Sequence, residues 1–303
     1  MILPGFGQLH QQADALASSI PIAVVGSADR GVLEAMRVGC DRGWITPILV
    51  GSEREIRRLA DEAGMGLEGF TIVGVDDPEE QAFAAVTEVR EGRVKLLAKG
   101  QIATPSLMNA VLEPERGLRS SRVVSQVVLM EIVAHDRRFL MADTGVNLKP
   151  KPASRVVILQ QTIDVAHALS VIRPRIALMA ASETINSAMP ETIEAAEIQR
   201  RNRDGEFPGA LIQGPLSFDL AYSRDAGDKK RINGEVVGSA DAMVFPDLLS
   251  ANLTVKAIMY TADCRFGGVL RGTSAPVAFM SRSDTPATRL NSLALALAVL
   301  QAK

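Results

Sequence analysis

The chain has 303 residues, 47% hydrophobic and 22% charged, with a formal net charge of −2. That balance excludes a broad cationic surface for nucleic acid or anionic membrane, so a polyanionic ligand needs a local cluster of Arg and Lys. Aromatic residues make up only 4%, which disfavours a surface for stacking bases or sugars.

The N-terminus, MILPGFGQLH, lacks the charged region and apolar stretch of an export signal. A cytoplasmic location is therefore expected. Apolar runs at Ile22–Val25, Pro47–Val50, Thr71–Val75, Lys95–Ala98 and Phe139–Ala142 predict strands in the first half. Several are continuous rather than alternating, as strands covered on both faces require. Between the first two, Leu33, Met36 and Cys40 form one helical stripe closing near Gly43. A GxGxxG string, Gly64 to Gly69, follows a helical stretch and leads into the strand at Thr71. A dinucleotide fingerprint sits the other way round, after a strand, so a helix-to-strand turn is the better reading.

The segment Asn147-Leu-Lys-Pro-Lys-Pro152 suits neither a central strand nor a helix interior and marks a lobe boundary. Ser154 is a plausible cap for a helix carrying Ile158, Thr162, Val165 and Leu169. Strands follow at Ile176–Met179, Ala210–Ile212, Ala242–Phe245, Gly267–Leu270 and Val277–Phe279. Pro190 opens a helix whose face includes Ile193, Ala196 and Glu197 and which ends near Gly205. Lys229-Lys230-Arg231 reads as a solvated loop. The run around Leu293–Leu300 is too short to span a bilayer and reads as a buried C-terminal helix. Repeated strand–helix alternation argues for parallel sheet with right-handed crossovers.

In open α/β sheets, ligands bind beyond the carboxyl ends of strands. Those positions hold Lys99-Gly100, Asp143-Thr144-Gly145, Gln213-Gly214-Pro215, Pro246-Asp247, Gly272-Thr273-Ser274 and Ser281-Arg282-Ser283. Small residues there let backbone N–H groups approach phosphate oxygens, although each loop could equally be a turn. Familiar catalytic motifs are missing: no GxxxxGK[ST], no HExxH and no GxSxG occurs. Cys40 and Cys264 form no CxxC, and His10, His135 and His167 are widely separated, so neither a disulfide framework nor a metal site is indicated. His167 reads as a helix-surface or packing residue.

At these loops the sequence resembles the phosphate acetyl/butyryltransferase family, closer to the butyryltransferase branch. The strongest segments are GEVVGSADAMVFPDLLSANLTVKAI (234–258) and GGVLRGTSAPVAFMSRSDTPATRLNSLALA (267–296). LLAKGQIATPSLMNAVL (96–112), GLRSSRVVSQV (117–127), MADTGVNLKP (141–150) and GPLSFDLA (214–221) follow the family's order. The resemblance implies a two-lobed α/β/α fold with mostly parallel sheets and an inter-lobe cleft, like isocitrate and isopropylmalate dehydrogenases. The expected lobes are 1–146 plus 273–303, and 147–272. It also implies a homodimer that exchanges CoA and phosphate on a small acyl group, with no metal and no tightly bound cofactor. The partners are CoA, phosphate and acyl phosphate, with no nucleic acid and no membrane.

By the same resemblance the Ser281-Arg282 pair lies in the cleft. A guanidinium can hold phosphate oxygens two-pronged, the role expected of Arg282. Ser281 could hydrogen-bond the thiol or the developing oxyanion, or cap a helix over Asp284–Leu290. Lys99, Gly100 and Thr104 occupy the family's loop-and-helix motif. Asp143 and Asn147 match its aspartate and asparagine near the lobe junction, where a hinge or capping role is the alternative. Asn252 and Lys256 border the cleft, and Arg119 and Arg122 meet CoA phosphates or are ordinary exposed arginines. Gln213-Gly214 and Gly272-Thr273-Ser274 complete the expected substrate-binding set.

The chain also departs from the family. Thr288 stands where the acetyl branch has an aspartate proposed as base for the thiol, Gln213 where an aspartate begins the motif, Gln126 where many members have histidine, and Asn109 where arginine is usual. Asp284 is a candidate substitute base. Three readings follow: a phosphate acyltransferase for a short chain such as butyryl, a phosphate acetyltransferase, or a non-catalytic paralogue binding CoA or acyl phosphate.

Overall fold

Strand-length apolar runs and capped helical segments alternate along the chain, and a computed structural model, describing residues 2–279 and 281–302, shows what they build. In chain order the first elements are α1 (Phe6–Asp14), β1 (Ile20–Val25), α2 (Arg30–Asp41), β2 (Ile45–Gly51), α3 (Glu53–Glu62), β3 (Thr71–Gly74), α4 (Pro78–Arg90), β4 (Leu96–Lys99) and α5 (Thr104–Leu112). Then come β5 (Ser125–Ile132), β6 (Arg137–Ala142), α6 (Pro152–Ala168), β7 (Arg175–Met179), α7 (Pro190–Arg203), β8 (Leu211–Leu216), α8 (Phe218–Tyr222) and α9 (Arg224–Lys230). The last are β9 (Ala242–Val244), α10 (Leu248–Thr261), β10 (Cys264–Arg271), β11 (Val277–Ala278) and α11 (Pro286–Gln301).

A terminal unit comprises Phe6–Arg122 and Phe266–Lys303; a central unit comprises Met1–Gly5 and Val123–Arg265. These limits differ from the expected boundaries at 146/147 and 272/273. The cause is strand pairing: β5 and β6 form an antiparallel pair from Val127↔Ala142 to Ile132↔Arg137, and β6 joins β9 at Leu140↔Ala242. Residues 123–146 therefore belong with the central unit. The strand β5 was not anticipated.

In the terminal unit the strand order is β3-β2-β1-β4-β11-β10, parallel except for β10. Its strands are covered by α2 and α11 and by α4, with α5 packed on α4, which explains the near-continuous burial of β1 and β4. Helix α2 buries Val32, Leu33, Ala35, Met36 and Gly39, the expected stripe widened, while Cys40 is only half-buried. In the central unit the order is β5-β6-β9-β7-β8, parallel except for β5. There α6 packs on β5, β6 and β9, and α7 on β8.

Several expected details are corrected. Pro152 occupies the first turn of α6 and Lys151 precedes it, so Ser154 lies inside the helix and is not its cap. In α7 the buried residues are Thr192, Ala195 and Ile198, whereas Ile193 is exposed. Lys229 and Lys230 end helix α9 rather than lying in a loop, and Lys229 pairs with Asp225 at 2.6 Å. Gln213-Gly214-Pro215 lies inside β8, not beyond it; a register shift against β7 accommodates the segment. As the last strand in the order, β8 tolerates a proline that cannot donate to a ladder.

Candidate active site

Strands β1, β4 and β11 run parallel, so their carboxyl ends share one edge of the terminal unit. The chain leaves β1 through Gly26 and β4 through Gly100, and these two loops lock together. Gly100 N–H donates to Val25 O at 2.8 Å and Gln101 N–H to Gly26 O at 2.7 Å. A Cβ on Gly100 would stand 2.5 Å from Gly26 O, and one on Gly26 would stand 2.8 Å from the Gln101 backbone, at a φ of +70° that itself favours glycine. Helices α2, α5 and α11 begin just beyond the same strand ends. Asp29 caps α2 by accepting from Val32 N–H at 2.9 Å, and Thr285 caps α11 by accepting from Thr288 N–H. Ala103, before α5, offers no side-chain cap. Three helix N-termini above strand ends make an edge that favours anions.

The charged side chains here are cationic on balance. Lys99 ends β4 and is 1% exposed; its Nζ lies 3.4 Å from Gly100 O and 5.9 Å from the centre of the Phe279 ring. Burial, then the nearby Arg289 and Arg282 guanidiniums, lower its pKa to about 8, against the pull of Asp284. Arg289 is equally buried, in the first turn of α11, one turn before Leu293 on the helix's packed face. Its Nη2 lies 4.0 Å from Asp29 Oδ1 and donates to Arg282 O at 3.4 Å. Burial lowers its pKa as well, with Asp29 and Asp284 opposing.

Of the expected residues, this edge brings together Lys99, Gly100, Thr104, Ser281, Arg282, Asp284 and Thr288. Arg282 is exposed. Ser281 does not cap the helix: its own N–H donates to Asp284 Oδ2 at 2.8 Å, its Oγ lies 3.0 Å from Ser283 Oγ, and α11 starts four residues after Arg282, at Pro286. Thr288 is engaged with its cap, Oγ1 lying 3.1 Å from Thr285 Oγ1. Asp284 is thus a clamp on the 281–284 turn that also faces two cations.

Gly272, Thr273 and Ser274 do not join this set. They follow β10, which runs antiparallel to β11 from Val269↔Ala278 to Leu270↔Val277, so its carboxyl end lies at the opposite edge of the terminal unit from Lys99. Arg119 bridges to Thr273 there, and Ser274 shares a depression with Lys95 at the start of β4. Arg122 is exposed at the end of the same segment.

In the central unit, Asp143, Asn147 and Asn252 do come together. Asp143 is 3% exposed and accepts from the N–H groups of Gln126 (3.0 Å), Gly145 (3.1 Å), Val146 (3.2 Å) and Asn147 (2.8 Å), and from Asn147 Nδ2. Burial pushes its carboxyl upward, against these donated bonds. Asn252 Nδ2 donates to Thr144 O at 3.0 Å and ties α10 to the loop. The carboxylate is consumed in shaping residues 143–147. Gln213 donates from Nε2 to Asn233 O at 2.9 Å, and Gly214 N–H donates to Gln199 Oε1, so both hold structure locally.

Sequence reasoning passed over Arg289 and Asp29. An arginine four residues before Leu293, on the helical face that leads into the apolar run to Leu300, was the available signal. Among the described residues no group of three or more His, Cys, Asp or Glu could hold a metal ion, and no helix is long and apolar enough to cross a membrane.

Known proteins resemble this chain in sequence and in fold. The family model "Phosphate acetyl/butaryl transferase" matches residues 77–297. The phosphate butyryltransferase of Clostridium acetobutylicum is 36% identical over 278 residues, 92% of each chain. The phosphate acetyltransferase of Rhizobium meliloti is 36% identical over 88% of this chain and 83% of its own. Among solved structures, a branched-chain phosphotransacylase from Enterococcus faecalis V583 superposes with a TM-score of 0.81 at 28% identity, covering 93% of this chain and 99% of its own.

Proposed function

The chain belongs to the phosphate acetyl/butyryltransferase family, and we propose that, as a phosphate acyltransferase, it serves an acyl group longer than acetyl, with Arg282 gripping phosphate. The observation that carries the placement is the gathering of Lys99, Arg289 and Arg282 at an edge where three helices begin. In the reaction the thiol sulfur of CoA attacks the carbonyl carbon of an acyl phosphate. A C–S bond forms, the C–O bond to phosphate breaks, and the thiol proton ends on phosphate.

Arg282, exposed and unburdened by packing, holds the phosphate oxygens and the charge that grows on them. Ser281 offers its hydroxyl to the developing oxyanion. Thr288, in place of the acetyl branch's aspartate, and the likeness to a phosphate butyryltransferase support the longer acyl chain. CoA is a substrate here, and no tightly bound cofactor enters the reading. A homodimer and a cytoplasmic location belong to it too; Leu249, Leu253 and Tyr260 along one exposed side of α10 support the dimer.

The test is thioester formation from CoA with acetyl, propionyl, butyryl and isobutyryl phosphates. A kcat/KM highest for the four-carbon substrates agrees with the proposal. Highest activity with acetyl phosphate makes the protein a phosphate acetyltransferase, and binding without turnover makes it a non-catalytic relative.

A further inference from the structure

Resting on that reading, we infer that Lys99 is the catalytic base of the site: its neutral amine takes the proton from the CoA thiol and passes it to the departing phosphate. The position left without an obvious base is thereby filled by a residue of β4.

The geometry is what an amine base requires. The Lys99 side chain is almost fully buried, and its ammonium would have three protons to place. The one hydrogen bond its Nζ makes among the described residues is the 3.4 Å contact with Gly100 O. Among the described residues no carboxylate oxygen comes within ion-pair distance of it, Asp284 acting on it only from farther away. The charged groups near it are Arg289 from α11, Arg282 and Asp284 from the turn before α11, with Asp29 of α2 facing Arg289 rather than the amine. Asp284 is held by Ser281 N–H. A cation in such a place is penalised twice, by burial and by two like charges, and the neutral amine is favoured. The pKa of about 8 agrees. An ordinary lysine near ~10.4 would hold its proton too firmly to act near neutrality.

The proton balance closes without a further reactant. Neutral Nζ accepts the S–H proton as the C–S bond forms. The resulting ammonium lies beside the phosphate held by Arg282 and returns the proton as the C–O bond breaks, giving hydrogen phosphate and restoring the amine. In reverse, the amine takes the proton of hydrogen phosphate and delivers it to the leaving thiolate. Both directions need Lys99 neutral, which separates this role from that of a cation holding an anion.

The experiment is the pH dependence of kcat for butyryl-CoA plus phosphate, where no thiol titrates, in wild type, Lys99→Arg and Lys99→Ala. The inference expects wild-type kcat to climb with pH and level off at or above about 8, and Lys99→Arg to lose about 10²-fold or more in kcat while still binding phosphate. It also expects small primary amines to restore turnover to Lys99→Ala, more strongly the more basic the amine. Wild-type kcat that stays flat while KM for phosphate rises, or Lys99→Arg within about threefold of wild type, overturns it. Should Lys99→Arg fail to fold, amine rescue of Lys99→Ala decides alone, and absence of rescue counts against. A wild type inert toward every acyl substrate would instead sink the acyltransferase reading beneath it.

Discussion

The guanidinium of Arg289 stands 4.0 Å from the carboxylate of Asp29, tying a buried cation in the first turn of α11 to the residue that caps α2. The two carry unequal loads. Asp29 is part-exposed and also satisfies Val32 N–H, whereas Arg289 is enclosed. Asp29→Ala is therefore expected to cost about 1–2 kcal/mol through the lost cap, plus a further share from the buried cation left behind. Arg289→Met, an apolar replacement for a buried charge, should leave unfolding free energy within about 1 kcal/mol. A double-mutant cycle in urea measures the share that belongs to the pair.

Stability should also report on Lys99. Its pKa is about 8 in the folded protein and about 10.4 in an unfolded chain. Between these values the unfolded state binds more protons, so stability attributable to Lys99 rises with pH across that window and is constant below it. Urea unfolding of wild type and Lys99→Met at about pH 7 and about pH 10 should show wild type gaining on the variant by roughly 1.4 kcal/mol per pH unit at most. Equal slopes would mean an ordinary amine.

Asp143 accepts five donors and offers none in return when ionised. Asp143→Asn turns one acceptor into a donor facing other donors. The expected loss is on the order of 1–3 kcal/mol, seen as a lowered Tm. Amide exchange at Gly145 and Val146 should accelerate with it.

Where the resemblance leads one to expect aspartate, Gln213 has a structural task that a carboxylate cannot perform. Its Nε2 donates to Asn233 O; a carboxylate there would meet a carbonyl oxygen. Gln213→Asp should cost about 1 kcal/mol in denaturant unfolding.

The sequence disclosed the parallel core well, because doubly covered strands such as Ile22–Val25 are continuous apolar runs with little else to be. The apolar run Val127–Met130 is a local signal for β5 of the same kind, and only its antiparallel pairing with β6 lay beyond the sequence. Nor could it give strand direction: Gly272-Thr273-Ser274 follows a strand like any other loop, and only the antiparallel register of β10 moves it away from Lys99. The candidate site was legible where motif residues stand at or shortly after a strand end, as at Lys99-Gly100 and Ser281-Arg282. Arg289 was missed because a helical arginine is ordinarily solvated, and its burial depends on how α11 packs against the strands. The cap of α11 fell at Thr285 instead of Ser281 because Asp284 draws Ser281 N–H into a turn ahead of the helix.

The most direct measurement is kcat/KM for thioester formation from CoA and butyryl phosphate, in wild type and Arg282→Ala. Arg282 is exposed, so its truncation should leave Tm within about 1–2 °C. The account predicts active wild type and a variant slower by about 10²–10³-fold. Equal rates for the two proteins would contradict it.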